Sequence, residues 1–171
     1  TRLAFIAEHY GTDQIQLLDM RYGTIQSLTL SDMVQYRDPP VWSPDGTQLV
    51  AQGWSEETRS IDINLINAQS GIHEVLVWSF TAIDIAWSPD GTHIAIVSPG
   101  NEVYTVAVGT GELSRLTPGR NGFSIAWHES GEYVVYISQR SSNYDLYMTH
   151  IDGGDAIRLT DHPSMDFVSY Q

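Results

Sequence analysis

The pentapeptide Trp42-Ser43-Pro44-Asp45-Gly46 returns intact as Trp87-Ser88-Pro89-Asp90-Gly91 and in altered form as Trp127-His128-Glu129-Ser130-Gly131, at spacings of 45 and 40 residues. A period of this length confines a chain to folds that repeat one supersecondary unit. The residues after each copy repeat too. Thr47-Gln48-Leu49-Val50-Ala51, Thr92-His93-Ile94-Ala95-Ile96 and Glu132-Tyr133-Val134-Val135-Tyr136 are one segment, and Thr1-Arg2-Leu3-Ala4-Phe5-Ile6 is a fourth copy of it. Next come Gln14-Ile15-Gln16-Leu17-Leu18, Ile61-Asp62-Ile63-Asn64-Leu65, Val103-Tyr104-Thr105-Val106 and Asp145-Leu146-Tyr147-Met148. The unit closes on Leu28-Thr29, Leu76-Val77, Leu116-Thr117 and Leu159-Thr160. Each unit therefore holds four short segments, A to D in chain order.

These segments are rich in β-branched and aromatic residues and bounded by Gly, Pro, Asn, Asp or Ser, the pattern of short strands. Ser-Pro-Asp-Gly is a turn: Pro fixes φ, Asp suits the next place, and Gly takes the positive φ that closes a hairpin. The B segments, such as Tyr133-Val134-Val135-Tyr136-Ile137, are apolar on both faces, whereas Leu113-Ser114-Arg115-Leu116-Thr117 in D is more polar. A four-stranded sheet covered on both faces and fraying outward is a propeller blade. A stacked β-sandwich is the alternative, but a sandwich has no need of a fixed period.

The combination of Trp-Ser-Pro-Asp-Gly, two apolar strands and a closing Leu-Thr resembles the TolB-type propeller repeat, a relative of WD repeats. The fullest copy runs from Ile125-Ala126-Trp127 through Ser138-Gln139-Arg140 and Asp145-Leu146-Tyr147 to Arg158-Leu159-Thr160-Asp161-His162-Pro163. The resemblance covers the whole chain and implies a TolB-like, all-β propeller of four-stranded antiparallel blades. It also implies a protein-interaction scaffold in an extracytoplasmic (periplasmic or secreted) location. The expected blades are 1–34 plus 166–171, 35–80, 81–120 and 121–165. In this partition Asp166-Phe167-Val168-Ser169-Tyr170-Gln171 is a strand A that completes the first blade and closes the ring. A closed monomer is favoured, and two chains sharing an eight-bladed ring satisfy the same repeat arithmetic.

Composition narrows the function classes. With 42% hydrophobic, 11% aromatic and only 17% charged residues, the 171-residue chain has the means for a packed core and is not disordered overall. No run approaches the ~18 apolar residues of a membrane-spanning helix. Eight Lys and Arg stand against 21 Asp and Glu, and a net charge of −13 argues against a nucleic-acid partner. Without cysteine there is no disulfide, thiolate metal site or cysteine nucleophile. The opening Thr1-Arg2-Leu3-Ala4-Phe5, with no initiator Met or signal peptide, reads as a mature or excised chain.

Catalytic motifs are missing. His9, His73, His93, His128, His150 and His162 fall at different places in the repeat and in no metal-ligand spacing. There is no Gly-x-Ser-x-Gly elbow, Gly-x-Gly-x-x-Gly or phosphate-binding loop, so neither cofactor nor catalytic residue is expected. Asp152-Gly153-Gly154-Asp155 lacks the alternating oxygen ligands of a calcium loop and occupies a repeated turn, so no metal is expected either. His128 and Glu129 break the repeat and are the residues to test should activity appear.

Trp42, Trp87 and Trp127 share one repeat position and are expected to pack between blades, while Trp54 and Trp78 lie outside it and suit exposed contacts. The units differ most in their D–A loops, 30–38, 78–81, 118–122 and 161–165, and loops on a rigid scaffold commonly carry function. This face is expected to present Tyr36, Arg37, Asp38, Trp78, Phe80, Arg120, Asp161, His162 and Asp166 to a protein or peptide partner. The long B–C loop 53–60 is expected on the opposite face. The expected function is therefore non-catalytic binding. The alternatives are the regulatory propeller of a prolyl-oligopeptidase-type serine peptidase and a lectin-like carbohydrate binder using Trp54 or Trp78.

Overall fold

The computed structural model describes residues 1–9, 11–29, 34–36, 38–117, 122–139 and 144–161. Among them the regular elements are sixteen β-strands, with no helix. The chain divides into two compact units, Thr1–Thr81 and Ala82–Gln171.

In the first unit, β1 (Arg2–His9), β2 (Thr12–Asp19) and β3 (Thr24–Ser27) form an antiparallel sheet in chain order. The second sheet contains β4 (Val34–Tyr36), β5 (Val41–Trp42), β6 (Gln48–Ser55), β7 (Ser60–Asn67) and β8 (His73–Val77). Both β4 and β5 pair with β6, so they are two halves of one strand A. Between them stand Pro39 and Pro40, which have no amide hydrogen to give the ladder. The segment 34–36, expected as loop, is thus the first half of a strand. In the second unit, β9 (Asp84–Trp87), β10 (His93–Val97), β11 (Val103–Ala107) and β12 (Leu113–Arg115) form one four-stranded sheet. The other comprises β13 (Gly122–Trp127), β14 (Tyr133–Ser138), β15 (Asp145–His150) and β16 (Ile157–Arg158). Three of the sheets hold strands A to D in order. The first shows B, C and D, and its expected strand A at 166–171 lies outside the described residues.

The repeated residues hold the repeated geometry. Ser43 Oγ donates to Asp45 Oδ1 at 2.6 Å and accepts Gln48 N at 2.9 Å. Ser88 does the same with Asp90 and His93, at 2.6 and 2.9 Å. Gly91 sits at φ +72°, a conformation that a residue with a Cβ adopts only under strain. The closing threonine has an equally defined task. Thr29 Oγ1 accepts Ile15 N at 3.0 Å, Thr117 Oγ1 accepts Val103 N at 3.0 Å, and Thr160 Oγ1 accepts Leu146 N at 2.9 Å. Each ties the end of strand D to the start of strand C.

Within each unit the two sheets share a core. Ile15, Leu17 and Leu28 of the first sheet meet Tyr36, Leu49 and Ile66 of the second. Val97, Val103 and Leu116 meet Ile125, Tyr136 and Tyr147 in the second unit. Trp42 and Trp127 seal these junctions. The Arg2 guanidinium lies 5.0 Å from the Trp42 ring, and Trp127 Nε1 donates to Ala86 O of the preceding sheet at 2.9 Å. Trp87 is buried as well.

Candidate binding site at the loop end of the second sheet

Four antiparallel strands reverse direction three times, so the B–C and D–A connections leave the sheet at one end and the A–B and C–D turns at the other. The second sheet shows this directly. Val34, which begins strand A, pairs with Ser55, which ends strand B, and Ser55 pairs with Ser60 at the start of strand C. From the D–A loop, Ser79 N donates to Asp62 Oδ1 at 2.7 Å and Phe80 N to Ile61 O at 2.9 Å. The loop 53–60 therefore joins the D–A loop at the same end, which corrects the opposite placement expected from the sequence.

At this end the second sheet departs from the repeat. A register shift between Ile63 and Asn64 sets Val77 opposite Ile63, as Leu28 and Leu116 stand opposite Ile15 and Val103, so Trp78, and not Val77 as the sequence repeat has it, takes the place of Thr29 and Thr117. Thr29 and Thr117 are buried, whereas Trp78 is 60% exposed. Ser79 beside it has φ +51° and Arg59 in the B–C loop has φ +54°, both in the left-handed region that disfavours a side chain. The strand C tie is rebuilt around Asp62, which is 1% exposed and accepts Thr58 Oγ1 at 3.1 Å and Ser60 Oγ at 2.8 Å besides Ser79 N.

Trp78, Thr58 and Asp62 line a cleft of about 240 Å³ together with Asn64, Glu57 and His73. Asn64 is 1% exposed, and its Nδ2 donates to Asp62 O at 3.1 Å. Strand alternation places a second, more apolar cleft of about 130 Å³ on the other side of the same sheet, lined by Gln35, Asp38, Gln52, Trp54 and Ile61. There Gln52 Nε2 donates to Asp38 Oδ2 at 2.6 Å, and Trp54 Nε1 to Glu56 Oε1 at 3.2 Å.

The expected contact residues are distributed unevenly. Tyr36 is a correction: it is 1% exposed, packed in the core of the first unit, because β4 belongs to the sheet and not to a loop. Its hydroxyl has no hydrogen-bond partner, and burial pushes its pKa upward. Asp38 is exposed and Phe80 is half-buried. In the second unit Asp161 is exposed and pairs with Arg158 at 2.7 Å, and Arg158 also reaches the fully buried Asp145 at 2.7 Å. Arg37, Arg120, His162 and Asp166 lie outside the described residues.

His128 stands in the turn position of Ser43 and Ser88. Its Nδ1 accepts Ser130 N at 3.2 Å, so the altered pentapeptide keeps a side-chain-tied turn with the partners exchanged. Among the described residues no group of three or more His, Asp or Glu side chains is placed to hold a metal ion, and no helix is long and apolar enough to cross a membrane.

Sequence reasoning missed Glu57, Thr58, Asp62 and Asn64. A signal existed for Asp62: the residue opening the core of strand C is Gln14, Asp62, Glu102 or Asp145, an acid or amide in every copy. Each accepts from its own sheet's D region, through Thr29 Oγ1, Ser79 N, Arg115 and Arg158 respectively.

No family model matches the chain. It is 27% identical over 146 residues to an uncharacterized protein of Agrobacterium fabrum, covering 75% of this chain and 49% of that one. The chain thus spans about half the length of that curated relative. Among solved structures it superposes on TolB from Acinetobacter baumannii with a TM-score of 0.70 at 22% identity, over 96% of this chain and 42% of that one. It superposes on a puromycin-hydrolyzing peptidase of Mycobacterium tuberculosis with a TM-score of 0.72 at 19% identity, over 95% of this chain and 31% of that one. The repeated A-to-D sheets and these superpositions together give the chain a TolB-like β-propeller fold.

Proposed function

We propose that the chain is a non-catalytic propeller scaffold that binds a protein or peptide partner through its D–A loops, joined at the second sheet by the B–C loop. The observation that carries this reading is Trp78. The repeat buries a threonine at that place, and the chain instead exposes an indole beside a cleft, with Ser79 next to it and Arg59 in the B–C loop held at positive φ. A large exposed aromatic beside charged side chains is what the core of an interface requires. Asp38 and Phe80 are proposed contacts in the first unit and Asp161 in the second, and Arg37, Arg120, His162 and Asp166 are proposed from the sequence alone. An extracytoplasmic location is part of the reading, by resemblance to TolB.

Selecting peptides from a random library on the wild-type chain tests it. The selected peptides should bind Trp78→Ala at least about tenfold more weakly, the loss of one interface anchor. Equal binding to Trp78→Ala and Phe80→Ala would contradict it. A second reading, the regulatory propeller of a serine peptidase, is favoured by the superposition on a peptidase that extends well beyond this chain. Turnover of ester or peptide substrates by the purified chain, lost on changing His128 or Glu129, would overturn the non-catalytic reading.

A further inference from the structure

We infer that the cleft beside Trp78 takes a cationic side chain of the partner, a guanidinium or an ammonium, a reading that rests on the loop-end function proposed above. Two buried side chains form the deep end, and both offer acceptors. Asn64 gives one of its two amide hydrogens to Asp62 O, and its Oδ1 is an acceptor on the cleft wall. Asp62 presents a carboxylate already oriented by Thr58, Ser60 and Ser79 N. A ligand that donates to acceptors on a cleft wall replaces the water that would otherwise meet them.

The charge of the cleft points the same way. Glu57 and Asp62 both line it, and among the described residues no Lys or Arg does. Arg59, the cation of the same loop, is absent from the lining. Trp78 adds an exposed indole face, and a cation against an indole is attracted by the ring quadrupole. A saccharide demands donors interleaved with acceptors at depth. Here Asp62, one of the two buried groups, is acceptor-only. The net charge of −13 steers the same class of ligand towards the chain.

The test uses the full ¹⁵N-labelled chain and the peptide Ac-Gly-Arg-Gly-amide, with the citrulline peptide, the lysine peptide and maltose as comparisons. The Trp78 indole resonance, assigned with Trp78→Phe, and the Asn64 side-chain amide are followed by NMR. Arginine or lysine peptide should move both saturably, with an affinity on the order of 1 mM for a single anchor. The isosteric but neutral citrulline peptide should bind about tenfold more weakly, and Glu57→Gln, a change in an exposed loop, should weaken the arginine peptide about threefold. Citrulline binding as well as arginine would overturn the inference, as would maltose alone moving the two resonances, or no ligand moving them. Library peptides that depend on Trp78 yet carry no basic residue would also overturn it, while leaving the partner-binding reading in place.

Discussion

Tyr36 and Asp45 show two ways in which one side chain departs from its appearance in the sequence. Tyr36 stands between polar residues ahead of two prolines and reads as a loop aromatic, but it is packed against Gly53, whose absent Cβ would lie 2.7 Å from Val34 Cγ1 and 3.1 Å from Tyr36 Cδ1. Its hydroxyl is buried without a partner. Tyr36→Phe should therefore leave stability unchanged or raise it by up to about 1 kcal/mol, since the hydroxyl is desolvated without a bond in return. Urea denaturation checks this, and a loss of about 2 kcal/mol would show that the hydroxyl is bonded. Asp45 is the converse, a surface residue with a fixed role. Hydrogen bonds from Ser43 and from the Thr47 amide and hydroxyl hold its carboxyl down to about 2. Because the folded pKa lies below the unfolded one, its contribution to stability is present above pH ~4 and is lost as pH falls towards 2. Carboxyl NMR should place its midpoint near 2, and a midpoint near 4 would mean the turn does not hold it.

At the scale of elements, the tie between strands D and C was the least legible part of the fold. The closing Leu-Thr is visible as a repeated pair, but not as a threonine hydroxyl accepting an amide fourteen residues back. Thr117 is 3% exposed, and Thr117→Val keeps its shape while leaving Val103 N without that acceptor. The expected loss is about 1–3 kcal/mol, seen as a lower denaturation midpoint; a wild-type midpoint would show that the tie contributes nothing. The Trp-Ser-Pro-Asp-Gly turns, the strand pattern and the tryptophan junctions were legible because each rests on residue types with one dominant physical role. Asp62 and Asn64 were not. Their partners are loop groups, Thr58 and Ser79 among them, brought close only when the B–C and D–A loops meet at one end.

At the scale of the whole molecule, we propose from the sequence repeat that 166–171 acts as a closing strand, and two assemblies would follow from it. Return to its own chain gives a monomer, and crossing to a second copy gives a two-fold dimer. Intramolecular pairing is favoured by effective concentration, so light scattering across a dilution series should give 19.1 kDa throughout. Twice that mass, persisting on dilution, would contradict it.

The central claim, that binding takes place where the D–A and B–C loops emerge, is tested most directly by hydrogen–deuterium exchange of the chain with and without a bound library-selected peptide. Protection should fall on residues 54–60 and 78–81. Protection confined to the opposite end, at the C–D turns 21–23, 69–71, 109–111 and 152–154, would contradict the claim.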